Sequence, residues 1–159
     1  MRYLKIISFF VVIMLIMGLG TKEIKYTEGI KPGYLAPKIN LQGFSLHDDG
    51  YTLIQFWAAY NAQSRWTNVC LSNEISRINN SKLRMVSIAF DARESIFEET
   101  IKADKLDSLS QLHDISGTNS EIYKKFQLKK GFYNVLVDSQ GVIVARDVQP
   151  GEIAELLHL

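Results

Sequence analysis

The sequence predicts an α/β domain: a central mixed β-sheet with helices on both faces. Three observations predict it. Two apolar runs of strand length, "YTLIQFWA" and "LRMVSIAF", read as strands buried on both faces. Each is followed by a segment whose apolar residues recur at helical spacing. Finally "FYNVLVD", then Ser139-Gln140-Gly141, then "VIVAR" is a pair of strands about a tight turn. A parallel first half joined by crossover helices and an antiparallel second half give the mixed sheet.

With 159 residues, 47% of them hydrophobic, the chain holds one compact domain with a full core. A formal net charge of +1 gives no basic excess of the kind that binds nucleic acid. There is no internal repeat and no low-complexity tract.

In chain order, "MRYLK" supplies a positive start and "IISFFVVIMLIMGLG" an apolar run too short to span a bilayer comfortably. Residues 1–20 therefore read as a signal peptide cleaved after Gly20 or, if retained, as an N-terminal membrane anchor. Either way the protein is expected to be exported, to the periplasm or anchored facing it. Residues 21–33 form a polar connector and 34–159 the folded domain. "LQGFSL" is expected to be a short strand. "HDDG" is turn chemistry, with Asp49-Gly50 a hairpin dipeptide in which glycine accepts positive φ. His47, Asp48 and Asp49 cluster because they form that turn; no partner ligands of matching spacing make them a metal site.

After the first strand a helix runs from Asn61 to about Asn79, its core stripe formed by Leu71, Ile75 and Ile78. It ends at Asn79-Asn80, where asparagine tolerates left-handed backbone. The second strand covers 83–90, and Asp91 begins a turn. "ESIFEETIKADKL" is a surface helix with Phe97 and Ile101 inward and its acidic residues solvated. "SLSQLH" is a short strand and "SEIYKKFQL" a short helix with Ile122 and Phe126 on one side. "PGEIAELLHL" closes the chain as a helix with Ile153, Leu156 and Leu157 on one face and Pro150 in its first turn.

Cys70 is the only cysteine. It excludes an internal disulfide, a Cys-x-x-Cys pair and thiolate-rich zinc coordination. An unpaired cysteine of this kind reads as a buried, inert thiol, with intermolecular pairing and reactivity as the alternatives. No cofactor and no metal is expected.

The element order together with "FWAAYNAQS" resembles the thioredoxin superfamily, specifically the exported TlpA-like thiol-disulfide oxidoreductases, from about Tyr34 to the C-terminus. The resemblance implies a thioredoxin-like fold, with "LIQFWAAYNAQS" as the strand and active-site turn and "GFYNVLVDSQGVIV" as the hairpin facing it. The family's Trp-Cys-x-x-Cys motif puts a nucleophilic cysteine at a helix N-terminus, where free N–H groups and the helix dipole stabilise the thiolate. Laid on this chain, the Trp falls on Tyr60, the first Cys on Asn61 and the second on Ser64. The family's cis-proline falls on Phe132. A non-proline cis bond costs about 2.5–4 kcal/mol, so Gly131-Phe132 is expected to be trans. The peroxiredoxin pattern Pro-x-x-x-Thr-x-x-Cys has no counterpart around Asn61.

An amide cannot attack a disulfide, and a serine hydroxyl cannot complete thiol exchange. The resemblance therefore implies a redox-inactive thioredoxin-like domain of the bacterial cell envelope, acting as a binding or accessory module for a protein partner. It contacts a membrane only through an uncleaved leader. The alternative is a thiol-disulfide oxidoreductase working through Cys70 with an external thiol. Cys70 lies six residues beyond Ser64, away from the helix end whose dipole would activate it. Catalysis by Ser64 lacks a base, because the sequence places none of His47, His113 and His158 beside it.

Trp66, Val69 and Cys70 form a flanking apolar patch. The first expectation packs Trp66 under the connector or a loop; the second leaves Tyr60, Trp66 and Phe132 as a partner-binding surface. Lys124, Lys125, Lys129 and Lys130 near Phe132 are a solvated face or a contact for acidic partners. Asparagine is among the best N-cap residues, which gives Asn61 a structural role in place of a thiol.

Overall fold

The computed structural model describes residues 26–157. The expected leader and its cleavage after Gly20, the first part of the connector and His158 lie outside the described residues.

Strand β1 (Tyr51–Trp57) is the centre of a five-stranded sheet. β2 (Leu83–Ala89) runs parallel to it, in register from Tyr51 against Leu83 to Trp57 against Ala89. β3 (Gln111–His113) continues the parallel half as an edge. On the other side β4 (Asn134–Val137) and β5 (Ile143–Arg146) are antiparallel, giving the order β3-β2-β1-β4-β5. From Thr52 onward every residue of β1 is buried, as an unalternating apolar run requires when both sheet faces are covered.

Helix α1 (Ala62–Ile78) covers one face: Leu71, Ile75 and Ile78 meet Leu53, Met85 and Leu136. Further along that face, Phe97 and Ile101 of α2 (Glu94–Asp104) pack on Trp57. The opposite face buries Ile54, Phe56, Ile88 and Val135 under Ile122 of α3 (Glu121–Lys125), Phe126 and Leu128. Ile30, Ile39 and Leu46 from the N-terminal segment complete that layer. This segment is also tied to the outer edge of β5: Gly33 N–H donates to the Ile143 carbonyl and Ile143 N–H to that of Tyr34, both at 2.8 Å. A buried polar chain pins α1 to the sheet, with Ser87 Oγ donating to Asn68 Oδ1 at 2.6 Å and Asn68 Nδ2 to Gln111 Oε1 at 3.1 Å. Each partner removes a desolvation cost that the others would otherwise carry.

Several local expectations are corrected. "LQGFSL" is a turn instead of a strand, because Gly43 takes φ +84° and Phe44 N–H closes on the Leu41 carbonyl at 3.1 Å. Gly50 does not use positive φ; glycine is needed there because a Cβ would stand 2.2 Å from the Lys82 carbonyl oxygen. "SLSQLH" divides into a 3₁₀ turn (Ser108–Ser110) and β3. Asp104 is not a solvated acid of α2: it accepts two hydrogen bonds from Arg65 of α1, at 2.6 and 2.5 Å. The last helix, α4 (Ile153–Leu156), is a single turn. Gly151 at φ +98° keeps Pro150 outside it, and the Gly151 N–H is held by the Glu74 carboxylate at 2.8 Å. Ile153 and Leu157 face the core while Leu156 is exposed.

Tyr133 closes the lower layer, donating its hydroxyl to the Phe126 carbonyl at 2.6 Å. Burial pushes its pKa up to about 12; Arg146 pulls against this and Asp147 adds to it. An unfolded tyrosine ionises near about 10, so between about pH 10 and 12 the unfolded chain binds fewer protons than the native one and stability falls as pH rises. Tyr133→Phe should cost about 0.5–1.5 kcal/mol at neutral pH and show a shallower loss across that alkaline window. Urea titrations of both proteins at about pH 8 and about pH 11 check this.

Candidate functional site

β1 and β2 are parallel and β4 is antiparallel to them, so the ends of the first two and the start of the third lie at one edge of the sheet. Three connections meet there: residues 58–61, 90–93 and 131–133.

The first N–H groups of a helix have no partner within it. At α1 one of them, the Ser64 N–H, is taken by a side chain. Asn61, at φ −103° and ψ 98°, is the N-cap and accepts the Ser64 N–H on Oδ1 at 2.9 Å. Ser64, only 4% exposed, donates its hydroxyl to the Asn61 carbonyl at 3.1 Å and accepts the Ala58 N–H at 3.3 Å. Ala59 N–H is held by both carboxylate oxygens of Asp91, at 3.1 and 3.0 Å. Asp91 is 2% exposed, and its carbonyl accepts from His113 Nε2 at 2.7 Å while the imidazole stacks on Phe97 at 4.7 Å. Both the donor and the acceptor side of the Ser64 hydroxyl are thus bonded to backbone. His47 lies elsewhere, bonded through Nε2 to the Ser81 carbonyl at 2.6 Å.

Cys70 is a free thiol, half-buried where full burial was expected. It stands roughly 12 Å along the α1 axis from Ala62, at about 1.5 Å per residue. Asp48 and Asp49 are in the bend before β1. Among the described residues no group of three or more His, Cys, Asp or Glu side chains is placed to hold a metal ion.

The structure brings Tyr60 and Phe132 together, with ring centroids 6.3 Å apart. Phe132 stacks on Phe90 at 6.1 Å and meets Tyr123 edge-on at 6.1 Å, so the pair is the outer part of an aromatic ridge. Tyr60 is 66% exposed; its hydroxyl pKa is raised, chiefly by desolvation and then by Tyr123 and Asp91. The Gly131-Phe132 peptide is trans. Trp66 is not packed under the connector or a loop: it is 55% exposed and pairs with no other ring among the described residues. It lies about 140° around the helix from Leu71, away from the core stripe.

Two cavities flank the ridge. One, about 620 Å³, is lined by Ala59, Tyr60, Phe90, Asp91, Arg93 and Ile96 among others. The other, about 360 Å³, is lined by Lys31, Lys130, Phe132, Tyr133, Arg146 and Asp147 among others. Of the four lysines singled out in the sequence only Lys130 reaches this second cavity. Lys124 is paired with Glu121 at 3.2 Å, and Lys125 lines a separate pocket near His113.

No family model and no curated protein matches the chain. Among solved structures, a thioredoxin-like protein from Parabacteroides distasonis is 48% identical, with a TM-score of 0.80, over 85% of this chain and 100% of that one. The chain belongs to the thioredoxin-like family. It is also similar to the C-terminal domain of a putative thiol-disulfide oxidoreductase from Bacteroides thetaiotaomicron, at 26% identity and a TM-score of 0.67 over 82% of this chain and 93% of that one. A thiol-disulfide oxidoreductase from Bacteroides fragilis is 29% identical, with a TM-score of 0.60, over 69% and 80% of the two chains. In this thioredoxin-like chain the first turn after the central strand presents Asn61 and Ser64, and Cys70 is the sole thiol.

Sequence reasoning missed Asp91, Lys31 and Arg146. An acidic residue just beyond a largely apolar strand is a signal for Asp91; nothing local marks the other two, which come from opposite ends of the chain. Asn61→Ala should lower stability by about 0.5–2 kcal/mol, while Asn61→Asp, which keeps a capping oxygen, should lower it far less. Denaturant midpoints of the two variants decide the cap.

Proposed function

We propose that this thioredoxin-like protein is a redox-inactive binding or accessory module of the bacterial cell envelope, exported under its N-terminal leader. The observation that carries the reading is the Asn61 Oδ1 contact to Ser64 N–H at 2.9 Å. A side-chain amide stands where thiol exchange would need a nucleophilic sulfur. The only thiol, Cys70, is remote from that turn along α1 and lacks the dipole that would activate it. The exposed face that remains is aromatic. Tyr60 resting against Phe132 offers a partner protein the residue type that supplies much of the energy at interface centres, and Trp66 adds a separate exposed ring on α1.

Reduction of a disulfide substrate by the purified protein should not exceed the background of the added thiol, and Cys70→Ser should behave identically. Turnover that survives Cys70→Ser would remove the thiol-free premise; turnover abolished by it would establish the one-cysteine oxidoreductase instead. In cells, a photo-crosslinking residue at Phe132 or Tyr60 should give a discrete adduct with an envelope protein, and the same residue at an exposed position remote from the ridge, such as Ser76, should not. Equal labelling from both positions would sink the ridge as the binding face.

A further inference from the structure

The ridge of Tyr60 and Phe132 separates cavities of unlike chemistry. On the Tyr60 side the larger cavity has apolar walls from Ala59, Phe90 and Ile96. On the Phe132 side the smaller one carries Lys31, Lys130 and Arg146 against a single carboxylate, Asp147. That carboxylate is already engaged, accepting from Arg146 Nε at 3.0 Å.

Arg146 is held rather than loose. Its guanidinium carbon lies 3.7 Å from the Tyr133 ring centroid, and Nη1 donates to the Ile30 carbonyl at 3.2 Å. Nη2 makes no hydrogen bond among the described residues. A guanidinium fixed over an aromatic face loses little further freedom when it binds, and its free Nη2 can donate a charge-assisted hydrogen bond to a carboxylate. Lys31 and Lys130 are exposed and add positive charge at the same cavity. The whole chain is close to neutral at +1, so this charge is a local feature and not the overspill of a basic protein.

We propose that the occupant of this face is an extended acidic segment of a protein partner. An Asp or Glu side chain enters the cavity of Lys31, Lys130 and Arg146, and a nearby apolar side chain crosses the ridge into the cavity of Phe90 and Ile96. An extended chain advances about 3.3 Å per residue, so a segment of a few residues spans rings that are 6.3 Å apart. The proposal rests on the binding-module reading and names the chemistry of its partner. The ionic part of the binding weakens with added salt, because the lysines face solvent.

The probe is a displayed library of random dodecapeptides selected on the purified protein. Selected sequences should carry Asp or Glu several-fold above the input frequency, next to an apolar residue. For one selected peptide, the Lys31→Gln, Lys130→Gln double variant should bind roughly tenfold more weakly. These are exposed positions, so its melting temperature should stay unchanged. Arg146→Lys, which keeps the charge and loses the fixed Nη2 donor, should also weaken binding. The proposal is overturned by selected peptides that are neutral or basic, by acidic peptides indifferent to the double variant, or by no enrichment at all. Binding to vesicles containing anionic phospholipid in place of peptides overturns it too. A crosslinked adduct at Phe132 that persists under any of these results keeps the binding-module reading while the acidic partner falls; loss of that adduct removes the reading itself.

Discussion

β1 is hydrogen-bonded along its length to β2 and along its middle to β4, with α1 and α2 on one face and α3 and the N-terminal segment on the other. A strand so enclosed has no solvent-facing side chains to vary, and its end point is fixed by its neighbours. Because β2 ends and β4 begins at the same edge, the chain leaving Trp57 must turn into α1 between Asp91 and Phe132. The site is therefore a consequence of topology: three connections converge whatever residues they carry, and the residues decide only what the convergence can do.

What they do in this chain is engage three particular donors. The turn after Trp57 holds the Ala58, Ala59 and Ser64 N–H groups, and each has an oxygen partner supplied by Ser64, Asp91 or Asn61. Asp91 also couples the turn to β3, since its carbonyl accepts from His113, which in turn stacks on Phe97 of α2. A rigid turn of this kind fixes Tyr60, which sits between Ala59 and Asn61, against Phe132. The exposed ring is positioned by the same bonds that satisfy the backbone.

The sheet and its main helices were legible because long apolar runs and a stripe at helical spacing leave few arrangements open. Asn61 and Asn79 as the ends of α1 were legible for the same local reason: capping chemistry is short-range, and both asparagines do cap it. Some failures are local, as at Gly43, whose positive φ turns "LQGFSL", but others involve contacts distant in sequence. Gly50 looks like a turn glycine until the Lys82 carbonyl is seen beside it, and Asp104 looks solvated until Arg65 is seen to hold it. Trp66, on the flank of α1 by its spacing, leaves packing under a loop and exposure both open in the sequence, and it is 55% exposed. At the site, the positions matching the family motif could be counted from the sequence, but the charge beside Phe132 comes from Lys31 and Arg146, which no local pattern joins.

A helix cap and a helix-start thiolate compete for one resource. A thiolate at the start of a helix is stabilised by the N–H groups that the helix leaves unpaired, and an N-cap oxygen is stabilising because it accepts from those same groups. In a thiol enzyme the donors must stay available to a sulfur whose charge comes and goes during exchange, so they cannot be fully satisfied by the resting side chain. Here Asn61 Oδ1 is uncharged and permanent, and Ser64 is bonded on both sides of its hydroxyl. Replacing Asn61 alone by cysteine would remove the cap while leaving Ser64 in place as a residue that cannot resolve a mixed disulfide. Stability and thiol exchange thus pull on the same N–H groups in opposite directions; in this chain the Ser64 N–H is held by Asn61, and the ridge with its two cavities lies beside that turn.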